Sequence, residues 1–95
     1  MPAYASVRVY ESSELADYLS EHEGEVLEII GGLSGFKAYH LIKTGEGTIS
    51  VSVFDGEESA AESANAAAAW LRENPPSFEL APPQGHAGEV VIDKA

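Results

Sequence analysis

The stretch "FKAYHLIKTGEGTISVSVFD", residues 36–55, decides the fold because it holds two runs in which apolar and polar side chains alternate. A Gly-Glu-Gly segment separates the two runs, and this pattern is typical of a β-hairpin. A turn centred on Gly45 and Glu46 predicts one register. Its opposed pairs are Lys43 with Thr48, Leu41 with Ser50, Tyr39 with Ser52, Ile42 with Ile49, His40 with Val51, and Ala38 with Val53.

The segments on either side of this hairpin supply two more strands and two helices. Residues 4–10, "YASVRVY", alternate like a half-buried strand, and residues 88–93, "GEVVID", predict a short last strand. Apolar residues recur at helical spacing between Leu15 and Leu33, and an alanine-rich helix ends at "ENPP". The order βαββαβ predicts a ferredoxin-like α+β fold, a four-stranded antiparallel sheet with two helices on one face. We expect residues 1–95 to form a single domain.

The alternation also predicts which face of the sheet the helices cover. We expect the aliphatic face, which includes Val51 and His40, to lie beneath them, since a one-residue slip would place Ser50 and Ser52 among the aliphatic side chains. The opposite face would then be bare, and its aromatic side chains would be a costly patch on a monomer. We therefore predict a homodimer whose interface contains Arg8, Tyr10, Tyr39, Leu41, Ser50, Ser52 and Phe54.

Composition excludes several classes of function. Sixteen acidic residues stand against five basic ones, giving a net charge of −11, so nucleic acid and anionic membranes are poor partners. The absence of cysteine excludes disulfides, thiolate catalysis and cysteine-ligated metal. The sequence has neither an apolar run of about 20 residues nor a signal-peptide pattern, so we expect a cytoplasmic protein.

The combination "GFKAYHLIKT…ISVSVF…ESANAAAAWLREN…GEV" resembles the antibiotic-biosynthesis-monooxygenase-like (ABM-like) family of dimeric α/β-barrel proteins, from about Leu33 to Val91. The resemblance implies that two ferredoxin-like sheets pack into a barrel and that each chain has a cleft between sheet and helices. Members include cofactor-independent oxygenases of aromatic polyketides and haem-degrading enzymes. The latter use an asparagine on the first strand and a histidine late on the second helix, and this chain has neither. We carry over no catalytic residue and expect neither cofactor nor metal.

Four residues are candidates for binding a ligand: His40, Asn65, Trp70 and His86. His40 is either a buried histidine bonded to a backbone carbonyl or a base in the cleft. Asn65 is unfavourable inside a helix unless it is exposed or used. Trp70 is either a core residue or a platform for a ligand. His86 lies in a proline-rich loop, Pro75 to Gly88, long enough to form a lid or an interface arm.

Two functions follow from these observations. The first is a non-catalytic dimer that binds a small hydrophobic or aromatic molecule in the cleft between sheet and helices. The second is a monooxygenase that uses neither metal nor flavin, in which a deprotonated aromatic substrate reacts with oxygen in a dry site. The sequence favours the first slightly, because it supports the fold and the interface but does not require catalysis.

Overall fold

A computed structural model describes residues 3–93 and confirms the central hairpin. Strand β2 spans Phe36–Lys43 and strand β3 spans Thr48–Phe54, and all six predicted pairs form. The turn packs against the neighbouring strand at Gly47, where a side-chain Cβ would overlap the carbonyl oxygen of Tyr10. Only glycine fits at this position, so the hairpin turn is fixed against the rest of the sheet.

The other elements follow in chain order. They are strand β1 (Tyr4–Tyr10), helix α1 (Glu14–Glu21), helix α2 (Glu23–Gly31), helix α3 (Glu57–Glu73) and strand β4 (Gln84–Glu89). The four strands form one antiparallel sheet in the order β2-β3-β1-β4. This is the ferredoxin-like α+β fold that the order of elements predicts.

Two boundaries differ from the prediction. The first helix is divided at His22, whose φ of −113° and ψ of 27° interrupt the helical geometry, and the poor helix former Gly24 follows shortly after. Strand β4 begins four residues earlier than predicted, and the apolar Val91 and Ile92 beyond it are 83% and 86% exposed. Backbone pairing with β1, rather than β-branched composition, determines where this strand lies.

The prediction of which sheet face is covered is wrong. The helices pack on the face that carries Tyr10 and Phe54, which are 4% and 0% exposed and contact Leu15, Leu19, Trp70, Ile30 and Ala60 in two core clusters. The residues proposed for a sheet-to-sheet interface therefore lie beneath the helices of their own chain. These residues are Arg8, Tyr10, Tyr39, Leu41, Ser50, Ser52 and Phe54.

The inversion has a physical reason. Both faces of the sheet carry apolar side chains, so alternation alone does not say which of them the helices cover. The large rings fill the space beneath the helices, and the small Ser50 and Ser52 between them are 1% and 0% exposed. The β-branched aliphatic residues of β1 and β3 point the other way and remain half-buried. They are Val7 and Val9 of β1 and Ile49, Val51 and Val53 of β3.

The part of the chain that the structure describes contains no helix with the length and apolar character needed to cross a membrane.

Candidate functional site

A groove of about 630 Å³ runs between helix α3 and the β1–β4 side of the sheet. Its floor comes from β1 and β4, one wall comes from α3, and the proline-rich segment at residues 80–83 borders it. Its side chains are mainly small and apolar. They include Ser6, Arg8 and Tyr10 of β1, Ala61, Ala64 and Ala68 of α3, Leu80 to Pro83, and Gly85 to Ala87 of β4.

The alanine-rich sequence of α3 creates this space. One stripe of the helix rests on the core through Ala60, Ser63 and Trp70, all buried. The adjacent stripe, Ala61, Ala64 and Ala68, lines the groove. Alanine is the strongest helix former and has the smallest side chain with a Cβ, so the helix stays regular while the groove beside it stays wide.

Arg8 is an unusual residue in the wall of this groove. It is only 5% exposed, and its Nη2 donates a hydrogen bond to Ser50 Oγ at 3.0 Å. Its Nε and Nη1 are buried and have no acceptor among residues 3–93, where no carboxylate pairs with the guanidinium either. Buried charges in proteins are normally paired. Arg8 has no such partner, and it therefore places an uncompensated positive charge at the groove.

A small polar network surrounds the arginine inside the protein. Ser50 Oγ donates to the Tyr39 hydroxyl at 3.3 Å, and Ser52 Oγ has no partner within the described residues. Arg8, Ser50 and Tyr39 also border an internal cavity of about 30 Å³ beside Trp70. That volume suits a water molecule but not an organic ligand, whereas the groove is large enough for one.

The charge of the groove differs from that of the rest of the chain. Its lining contains Arg8 and Arg72, which are the only arginines in the sequence. None of the sixteen acidic residues lines it. In this acidic chain, one largely apolar groove therefore contains no carboxylate and is lined by both arginines.

Solved structures identify the fold. A monooxygenase from Streptomyces coelicolor, in complex with the ligand nanaomycin D, superposes with a TM-score of 0.70 at 18% identity, covering 99% of this chain and 92% of that one. A candidate antibiotic biosynthesis monooxygenase from Nitrosomonas europaea gives 0.70 at 10% identity over 98% and 94%. The haem-degrader MhuD from Mycobacterium tuberculosis, with two haems in its active site, gives 0.65 at 17% identity over 99% and 100%.

The chain has the ABM-like fold. The structural neighbours thus confirm, at the level of fold, the resemblance that the sequence carries. No protein-family model matches the sequence, and no curated protein matches it either.

Within this ABM-like fold, the four candidate residues do not converge on one site. His40 is exposed on the uncovered sheet face, contrary to the prediction. It occupies one row of the sheet with Val51, Val7 and His86, so the two histidines lie at opposite edges. Asn65 is exposed on α3 outside the groove lining. His86 belongs to β4, not to the loop; it borders the groove, but it pairs with Val7, whose side chain lies on the uncovered face of the sheet.

Trp70 is a core residue. It is 7% exposed and packs with Tyr10, Leu15 and Leu19, and its ring centroid lies 5.9 Å from that of Tyr18. It also borders the internal cavity but does not line the groove. The structure therefore favours the packing interpretation of Trp70.

Sequence reasoning missed Arg8 as a site residue, although the sequence contains the signal. Arg8 lies on the same face of β1 as Ser6 and Tyr10, and Tyr10 has a ring of the size that fills a core. Had the aromatic face been assigned to the helices, Arg8 would have been predicted as a buried cation. The described residues contain no group of three or more His, Asp or Glu side chains placed to hold a metal ion.

Proposed function

We propose that this protein binds a small hydrophobic or aromatic molecule in the groove between α3 and the sheet. The observation that carries the proposal is the groove itself, whose volume of about 630 Å³ and largely apolar lining fall within the range of small-molecule sites. Two proteins of the same fold were solved with ligands, nanaomycin D in one and two haems in the other. This supports a ligand-binding role for the fold.

We also propose that the protein is a homodimer formed through the face of the sheet that no helix covers. That face carries contiguous aliphatic side chains on its two central strands, among them Val7, Val9 and Val51. A contiguous apolar surface of this kind is typical of an interaction site. We therefore still propose a homodimer, but its interface residues are those of the uncovered face and not the set predicted from the sequence.

A groove-filling substitution tests the ligand proposal. Ala64→Leu adds bulk to the groove wall, whereas Asn65→Leu adds a leucine at an exposed position of the same helix outside the groove. We expect an aromatic-compound screen to find ligands that raise the melting temperature of wild type and Asn65→Leu but not of Ala64→Leu. A ligand at 100 times its Kd stabilises by about 2.7 kcal/mol, which such a screen detects readily. Equal shifts in all three proteins would contradict binding in this groove.

The second candidate function is a cofactor-independent monooxygenase acting on an electron-rich aromatic compound. It is favoured by the similarity to the Streptomyces coelicolor protein, which is described as a monooxygenase. Oxygen uptake across a panel of hydroquinones and anthrones tests it, with Ala64→Leu as the inactive control. If compounds of this panel bind in the groove but no oxygen is consumed, the result contradicts the monooxygenase function and supports the binding function.

A further inference from the structure

We propose that the ligand of the groove is a hydrophobic anion, an aromatic or alicyclic molecule with one carboxylate or ionised phenol, and that Arg8 is its counter-charge. This inference rests on the proposed function and specifies its ligand class. It follows from the charge and the hydrogen bonding of the groove lining.

The first argument is that Arg8 lacks acceptors. One of its three nitrogens donates to Ser50, while Nε and Nη1, which carry three N–H groups between them, find no acceptor in residues 3–93. Arg8 as a whole is 5% exposed and both nitrogens are buried, so solvent at the surface does not satisfy these donors. Both nitrogens are inaccessible in this conformation, so we infer that the Arg8 side chain turns toward the groove to bind an anionic oxygen of the ligand, for which arginine is well suited.

The second argument is the distribution of charge. The net charge of −11 repels anions at long range, so the surface as a whole is a poor anion receptor. The groove differs from this surface, since Arg8 and Arg72 line it and no carboxylate does. Selection for an anion therefore has to occur locally, within the groove.

The third argument is the shape of the site. Apart from Arg8 and Ser6, its inner surface is formed largely by alanine, leucine and proline side chains. An inorganic anion would leave this surface without contacts, whereas an amphiphilic anion would use both features. The groove lining thus matches a ligand with one charged end and an apolar body.

Paired probes that differ in charge test this inference. We would measure the affinities of 2-naphthoate and its neutral counterpart 2-naphthamide by isothermal titration calorimetry, against wild type, Arg8→Met and Lys37→Met. Lys37 is an exposed cation outside the groove and pairs with Asp55 at 3.5 Å, so its variant controls for the loss of a positive charge.

In wild type and Lys37→Met we expect naphthoate to bind at least about tenfold more tightly than naphthamide, as charge-assisted hydrogen bonds allow. In Arg8→Met we expect that preference to disappear while naphthamide binding is retained. Equal affinity of the two probes for wild type would overturn the anion inference but leave the proposed function intact, and this comparison needs no variant to fold. Failure of both probes to bind wild type would count against the proposed function and, with it, this inference.

Discussion

Replacing Arg8 by methionine should make the protein more stable. Methionine keeps most of the side-chain length but removes a buried charge with two unpartnered nitrogens. Each unsatisfied buried donor group costs about 1–3 kcal/mol, and the hydrogen bond to Ser50 that would be lost contributes about 1 kcal/mol. Methionine is slightly smaller, and added cavity volume costs about 0.5 kcal/mol per 20 Å³.

For the two unpartnered nitrogens the balance is a gain of about 0.5–4.5 kcal/mol in the free energy of unfolding, close to the range found when buried ionic groups are replaced by apolar ones. For a chain of this size, each kcal/mol corresponds to a rise of about 4–8 °C in melting temperature. Urea titration at matched protein concentration measures the change, because the stability of a dimer depends on concentration.

Arg72→Met is the matched control, since it removes the other arginine of the groove from an exposed position. It should change stability by less than about 0.5 kcal/mol. A loss of 1 kcal/mol or more in Arg8→Met would refute the reasoning, because it would mean that the folded protein already compensates the guanidinium charge.

Three further predictions concern packing and assembly. Trp70→Ala should destabilise the protein by about 3–5 kcal/mol, as expected for a core tryptophan, and a urea titration showing a loss below 1 kcal/mol would contradict its assignment to the core. Gly47→Ala should destabilise by more than about 1 kcal/mol, because its methyl group would overlap the Tyr10 carbonyl oxygen; an unchanged melting temperature would show that the turn moves away freely. Val51→Glu places a charge at the centre of the uncovered face and should convert a dimer into a monomer in light scattering, whereas Glu57→Gln at the start of α3 should leave the mass unchanged. A monomeric wild type at micromolar concentration would instead contradict the proposed dimer.

The register and topology were predictable because they depend on local patterns. The segments "FKAYHLIK" and "TISVSVF" alternate on either side of a glycine turn. One register keeps the aliphatic residues of β3 on one face and its serines on the other, and the structure has this register. The position of β4 was less predictable, because "QGHAGE" has poor strand propensity and is held by its pairing with β1. The division of the first helix at His22 is likewise a local departure within an otherwise continuous apolar stripe.

The candidate site was not predictable by the same means, since finding it depends on knowing which sheet face the helices cover. The rule that aliphatic side chains form the core placed His40 beneath the helices and Arg8 outside, and both placements are reversed in the structure. Asn65 is a candidate in the sequence because asparagine is unfavourable inside a helix, but its exposure in the structure removes that argument. The alanines of α3 favour a helix, whereas their consequence for the site is the space that they leave open beside it.

The failure of the burial rule is itself informative. A sheet face selected for stability alone would place β-branched residues beneath the helices, and this chain has such residues on the opposite face of the same strands. Beside its aromatic rings it buries Arg8 and three serines, Ser6, Ser50 and Ser52, and the hydroxyl of Ser52 has no partner within the described residues. Proteins depart from such local rules mainly where function requires it, and stability is commonly sacrificed at binding sites. The predicted stabilisation by Arg8→Met and the predicted loss of anion preference in the same variant are therefore two consequences of one arrangement.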